Sequence, residues 1–350
     1  MNQSMLIKIV TAISILLIAA YFLWPTTPQI LPQKNEVQVN LPTTVVAKPS
    51  IKPVEVIAQE KPKVSLLSTN KSAVFISKVY AQELSFPVYS QPLKPTDFDR
   101  LNPNYFNPQN MPIDDEGNSI NASLSKYRYS YPEPIIAKLE GESIKGARFS
   151  LIDSQTNKEL ASANFQRQDE GWQVNLAGKK EFPESIHIKV VADVGHKSVP
   201  IVLALKYNNP VAIIEAFEPA KADGADMVVT AKLTTKKAGL YRVRANLFDA
   251  NDQPIAHLVT KSKLTTGLQK VALKTHQSVL QNRQPPFYLS TFMIELMSPS
   301  PGVRKKFGES AIKKYEIKNF AVSSLATQPY ESSPQEKQRL ELLQSMANDQ

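Results

Sequence analysis

Apolar and polar residues alternate through most of the chain from Pro134 onward. A strand turns successive side chains to opposite faces, so a period of two marks an element with a buried side. Segments 135–139, 147–152, 160–165, 171–176, 186–192 and 199–205 are short runs rich in β-branched residues and read as strands. Turn-forming stretches separate them: Asp153 to Asn157, Asp169 to Gly171 and Val194 to His196. Asn208, Asn209 and Pro210 then mark a boundary. Beyond it follow 211–217, 227–233, 240–248, 255–260, 269–273, 287–297 and 311–320. The clearest alternation is in 240–248, with Tyr241, Val243, Ala245 and Leu247 on one face and Arg242, Arg244 and Asn246 on the other. One buried and one wet face are expected there. With no helical period between the strands, the reading is mainly β: two antiparallel sandwiches, over 133–208 and 209–325.

The ends of the chain read differently. Residues 9–24 form a 16-residue run without a charge, and Met5 to Ile7 extend it past Lys8. That length suits a helix crossing the ~30 Å hydrocarbon layer. Only Lys8 and the amino terminus carry charge before the run, which predicts a cytoplasmic tail and export of everything after it. Ile18, Ala19 and Ala20 approximate a signal-peptidase site, but Tyr21 to Trp24 continue the apolar run, so 1–24 reads as a retained signal-anchor helix. At the other end, Ser333, Pro334 and Glu336 form a capping box with proline in the first helical position. Leu340, Leu343 and Ala347 then share a helix face, within a tail over 326–350.

Between anchor and sandwiches, residues 25–70 hold seven prolines, no glycine and no aromatic residue. A linker over 25–83 is expected, in which 71–83 forms a short helix or a strand. Lys48-Pro49, Lys52-Pro53 and Lys61-Pro62 give it a pattern that resembles the proline-rich spacers of TonB-like envelope proteins. From 84 to 132 eight aromatic residues appear among repeated prolines. Disordered segments are poor in aromatics, so this stretch is expected to lie as an extended arm on the first sandwich. The two strand sets resemble tandem immunoglobulin-like or fibronectin-III-like modules of bacterial envelope proteins, without the Cys-Trp-Cys signature. That resemblance implies domains outside a bacterial inner membrane, in the periplasm.

Composition removes several chemistries. The absence of cysteine excludes lipid attachment at cysteine, disulfides and thiolate metal sites. A net charge of +9 is spread among interspersed acids. The longest basic cluster, Arg304-Lys305-Lys306 beside Pro301-Gly302, reads as a solvated turn, and no basic stripe with stacking aromatics suggests nucleic acid. His187, His196, His257 and His276 lack ligand spacing, and His187 alternates against Ile186, Ile188 and Val190, which points it to solvent. Ser123/Lys126 and Ser310/Lys313 match SxxK without its companion motifs. Asp114 to Asn118 and Asp249 to Asp252 resemble fragments of calcium loops but lack the glycine and glutamate of an EF-hand. Trp172 is suited to a sandwich core, or to stacking on a sugar.

No catalytic, cofactor-binding or metal-ligating residue is assigned. The expected role is non-enzymatic: a membrane-anchored periplasmic module that presents sandwiches to an envelope protein. The alternatives are a module binding cell-wall or other polysaccharide, anchored or secreted, and an accessory subunit of an envelope enzyme.

Overall fold

The computed structural model describes residues 66–348, and side chains from Ser72 onward. The signal-anchor segment and residues 25–65 of the linker lie outside the described residues. Among the described residues no helix is long and apolar enough to cross a membrane.

The chain forms two mostly antiparallel β-sandwiches. In the first, one sheet has the order β2 (Gln109–Pro112), β3 (Ser119–Leu124), β5 (Ile135–Glu140), β9 (Gly171–Leu176), β8 (Gln166–Gln168). The facing sheet runs β4 (Arg128–Ser130), β11 (Ser198–Asn208), β10 (Ser185–Asp193), β6 (Gly146–Asp153), β7 (Glu159–Asn164). The predicted alternation appears directly in β10: Ile186, Ile188, Val190 and Ala192 are buried, and His187 and Lys189 are exposed. Turn chemistry sets the hairpins. Asp153 Oδ1 accepts from the Gln155 amide at 2.8 Å, and Gly171 takes φ 121° where a Cβ would stand 2.6 Å from the Leu139 carbonyl oxygen.

In the second sandwich, β1 (Ser90–Pro92), β16 (Pro254–Leu264), β15 (Gly239–Phe248) and β18 (Phe287–Leu296) lie side by side, with β20 (Lys314–Ile317) also on β18. The facing sheet holds β12 (Ala212–Phe217), β14 (Asp226–Thr235), β13 (Lys221–Asp223) and β17 (Gly267–His276). Strand β19 (Lys306–Ser310) pairs with both β18 and β12 and joins the two sheets. Within the expected strand over 311–320 only β20, Lys314–Ile317, is a strand, and β19 precedes it, separated by 311–313. Gly308 makes the bridge possible, because a Cβ there would meet the Ala212 carbonyl oxygen at 2.5 Å. Tyr241, Val243, Ala245 and Leu247 face the core with Phe287 and Leu289. This core is separate from the first one, built around Tyr129, Phe149, Leu151 and Ile188.

The arm departs from expectation. It does not lie on the first sandwich alone. Its beginning belongs to the second: β1 pairs antiparallel with β16, placing Ser90 opposite Leu258. A short helix α2 (Phe98–Leu101) then crosses the outer face of β15, where the Asn246 amide donates to the Arg100 carbonyl at 2.7 Å. Next, the Asn104 side chain bonds both backbone groups of Arg128, each at 2.7 Å, like a strand neighbour. Phe106 enters the first core, and the rest of the stretch supplies β2, β3 and β4. The first sandwich thus begins near Gln109 instead of 133. The outer face of β15 is roofed where a wet face was expected.

Residues 66–83 form helix α1 (Leu66–Glu83), which packs against the terminal helix α3 (Pro334–Asn348). The capping box forms: the Ser333 hydroxyl and amide donate to Glu336 Oε2 at 2.8 and 2.7 Å, and the Glu336 amide donates back to Ser333 Oγ at 3.3 Å. Ala347 is buried, and Leu340 and Leu343 are half-buried beside it.

Candidate interaction site at the junction of the sandwiches

Only Asn209, Pro210 and Val211 separate β11 from β12, too short a connection for free hinging. The parallel pairing of β4 with the end of β11 brings Arg128 and Ser130 to the same place as Lys206 and Asn208. The second sandwich answers with β19, whose Phe307 carbonyl accepts from the Val211 amide at 3.0 Å. Ser130 Oγ donates to Glu309 Oε1 at 2.5 Å and accepts from Asn208 Nδ2 at 2.7 Å, so the hydroxyl couples the two domains and fixes which way the amide faces. Among the described residues Asn208 Oδ1 is buried with no hydrogen-bond partner. The Arg128 guanidinium sits 3.9 Å from the centroid of the Phe307 ring. Burial lowers its pKa, and the nearby Glu309 and Glu295 oppose that shift.

A second polar set lies under the arm. Glu295, 4% exposed, accepts from Arg242 Nε at 2.6 Å and pairs with Arg244 at 3.0 Å. Among the described residues Arg244 Nε is buried with no hydrogen-bond partner. Asn246 Oδ1 lies 2.7 Å from His257 Nδ1, and burial with the Arg100 charge beside it pushes the His257 pKa down to about 4. Where the β15–β18 ladder shifts register, Thr291 takes φ 56°, a strained conformation for a β-branched residue. Thr291, Asn104, Ser125, Arg128 and Glu309 line a polar cavity of about 320 Å³ between the arm and both sandwiches.

Beside it opens a larger groove of about 590 Å³. The first sandwich contributes Tyr127, Phe182, Glu184 and Lys206, and the second contributes Val303 to Phe307. The groove is bipartite: apolar walls of Tyr127, Phe182, Val303 and Phe307 carry a cationic rim. The basic turn 304–306 belongs to this rim. Arg304 reaches across to Ser185 Oγ at 3.3 Å and to Glu184 at 4.0 Å. Sequence showed the turn and, separately, the boundary at 208–210, but nothing in either showed that they meet.

The other candidate residues do not come together. His187 and His196 are exposed on the first sandwich, while His257 and His276 lie apart in the second. Among the described residues no three His, Asp or Glu side chains gather as a metal site. Asp114 Oδ1 accepts from the Glu116 and Asn118 amides at 3.1 Å each, and Asp249 Oδ1 from Asn251 and Gln253 at 2.9 and 3.0 Å; both are turn caps. Ser310 donates its hydroxyl to the Ile312 carbonyl at 2.6 Å, and Lys126 pairs with Glu133. Trp172 is half-buried and packs on the first core.

No family model matches the chain, and no curated protein does either. Among solved structures it is similar to a DUF4785 family protein from Legionella pneumophila, at 13% identity and TM-score 0.39, over 51% of this chain and 52% of that one. It thus spans about half the length of that protein. An Escherichia coli alpha-2-macroglobulin gives 11% identity and TM-score 0.22, over 57% of this chain and 22% of the other. A Salmonella alpha-2-macroglobulin mutant gives 11% identity and TM-score 0.29, over 60% and 15%.

Proposed function

We propose that this chain is a non-enzymatic interaction module of a bacterial envelope. An apolar amino-terminal segment anchors it in the inner membrane, and a proline-rich linker carries a two-sandwich body into the periplasm to present it to a partner protein. The observation that carries the reading is the fastening of the junction. The arm is hydrogen-bonded to both sandwiches through Asn246 and Asn104, and Ser130 ties Asn208 to Glu309. Such fastening makes one rigid surface out of two domains, which an enzyme working by domain closure would avoid and a presenting module needs.

The test is photocrosslinking in intact cells from single positions on exposed sites of both sandwiches, such as Val303 and Val202. One protein, identified by mass spectrometry, should attach from a contiguous set of positions, and the full-length chain should fractionate with membranes. Adducts only to polysaccharide would overturn the protein-partner reading, and a soluble mature chain would overturn the anchored one.

A further inference from the structure

We infer that the groove between the sandwiches binds an acidic peptide segment of a partner protein, one that places an apolar side chain between flanking carboxylates. This rests on the interaction reading above and names the chemistry of the partner.

Charge is the first argument. The groove is lined by Arg128, Lys206, Arg304, Lys305 and Lys306, with Glu184 the only acid among its lining residues. Lys206 is turned inward by its bond to Ser185 Oγ at 2.6 Å, and Arg304 leans on Ser185 and Glu184. Lys305 and Lys306 make no ion pair among the described residues and are exposed, so their charge is available to a ligand. Two adjacent exposed cations at the start of β19 favour an anion and raise its rate of encounter.

Shape is the second. The cations rim an apolar trough where Phe182 stacks edge-on to Tyr207 at 5.4 Å, while Tyr127 and Val303 stay 40% and 48% exposed. Exposed apolar side chains inside a ring of charge are the ordinary anatomy of a peptide site, with an anchor pocket and a polar rim. A phosphate-dense polymer or lipid surface fits less well. It would gain nothing from the apolar walls and would bring negative charge against Glu184, whereas a peptide can place an amide N–H there.

The third is construction. Each sandwich supplies half of the site, so the fastened junction preorganises it.

The experiment uses the full-length chain in detergent and measures fluorescence anisotropy of a labelled acidic heptapeptide with a central phenylalanine. Its comparators are the same peptide with glutamine for every glutamate, and phosphatidylglycerol vesicles. The acidic peptide should bind the wild type, and Lys305→Glu/Lys306→Glu should weaken it about tenfold or more, since a charge reversal replaces attraction by repulsion. Val303→Asp should weaken it as well, while Lys189→Glu, on the outer face of β10 and outside the groove's lining, leaves it unchanged. All substituted positions are exposed, and circular dichroism confirms folding. Equal binding of the glutamine peptide, equal binding by the charge-reversed variant, or binding of vesicles but not peptide would each overturn the inference. The two readings separate in cells. If the charge-reversed chain keeps its crosslinked partner, the groove assignment fails and the interaction module survives; if no chain acquires a partner, the module reading itself fails.

Discussion

The two sandwiches share an architecture but treat the outer faces of their central strands differently. In the first, β10 turns His187 and Lys189 to water, and the polar half of its alternation needs no further explanation. In the second, the arm covers β15 at Asn246, and Arg242, Arg244 and Asn246 are all engaged: two with Glu295 of β18, one with Arg100 and His257. Alternation identifies the inward face because apolar burial is worth roughly 25 cal/mol per Å² whichever fold provides it. It is silent on what covers the other side. A polar residue on a strand is equally compatible with bulk water and with a satisfied polar network.

The comparison is sharpest where the two faces of β15 are set against each other. Leu247→Ala, at a position with no exposure, should destabilise the chain by about 2–5 kcal/mol in chemical denaturation, the cost of a truncated core leucine. A loss below about 1 kcal/mol would break the assignment of the inward face.

The next effect belongs to the roofed side. Glu295→Gln should cost roughly 2–3 kcal/mol, because it leaves Arg242 and Arg244 with no counter-charge in a partly desolvated site. Lys189→Ala on the open face of β10 should change stability by less than about 0.5 kcal/mol. Equal effects would show that the roof makes no difference.

Asn246→Ala removes the hook on Arg100 and the partner of His257, and should cost about 1–3 kcal/mol, the range for a broken buried polar pair. It should also open 93–105 to protease while leaving 109–208 protected. Uniform protection would mean that β1 and Asn104 hold the arm unaided.

The smallest effect is a pH dependence. The folded state holds His257 below its unfolded value of about 6.5, at about 4, so between these values the unfolded chain binds more protons. Stability contributed by the neutral ring is therefore complete above pH 6.5 and falls as pH drops toward 4. After allowance for solvent screening the loss is on the order of 1 kcal/mol. His276, lowered by burial, adds in the same direction. A His257→Gln chain should lose less stability than wild type between pH 7 and 5; parallel profiles would place the titration elsewhere.

What was legible in the sequence follows from these contrasts. Strands 186–192 and 240–248 were plain because an apolar residue falls at every second position, and the terminal helix was plain because its cap is local chemistry. Strand β1 gave no signal: Ser90, Gln91 and Pro92 carry no period, and their pairing with Leu258, His257 and Ala256 is decided by residues more than 160 positions away. Strand β19 was missed for a similar reason. Gly308 looks like a breaker locally and is required only because β12 comes so close. The groove was invisible because its two halves lie a hundred residues apart and each half, alone, is an ordinary surface.

The path of the arm also orders events in time. As the chain emerges amino end first, the segment holding Ser90 to Tyr105 appears early, but its partner strands end only at Leu264 and Leu296. The first sandwich, complete by Asn208, can close while that segment still has nothing to pair with. Residues made early are thus seated late, and the nascent chain must carry an open strand and the buried-to-be Leu93 without a cover until β16 has been made. A ribosome stalled after Asn208 should release one finished domain with a loose leader, whereas one stalled after Phe320 should release a body with that leader seated on β16.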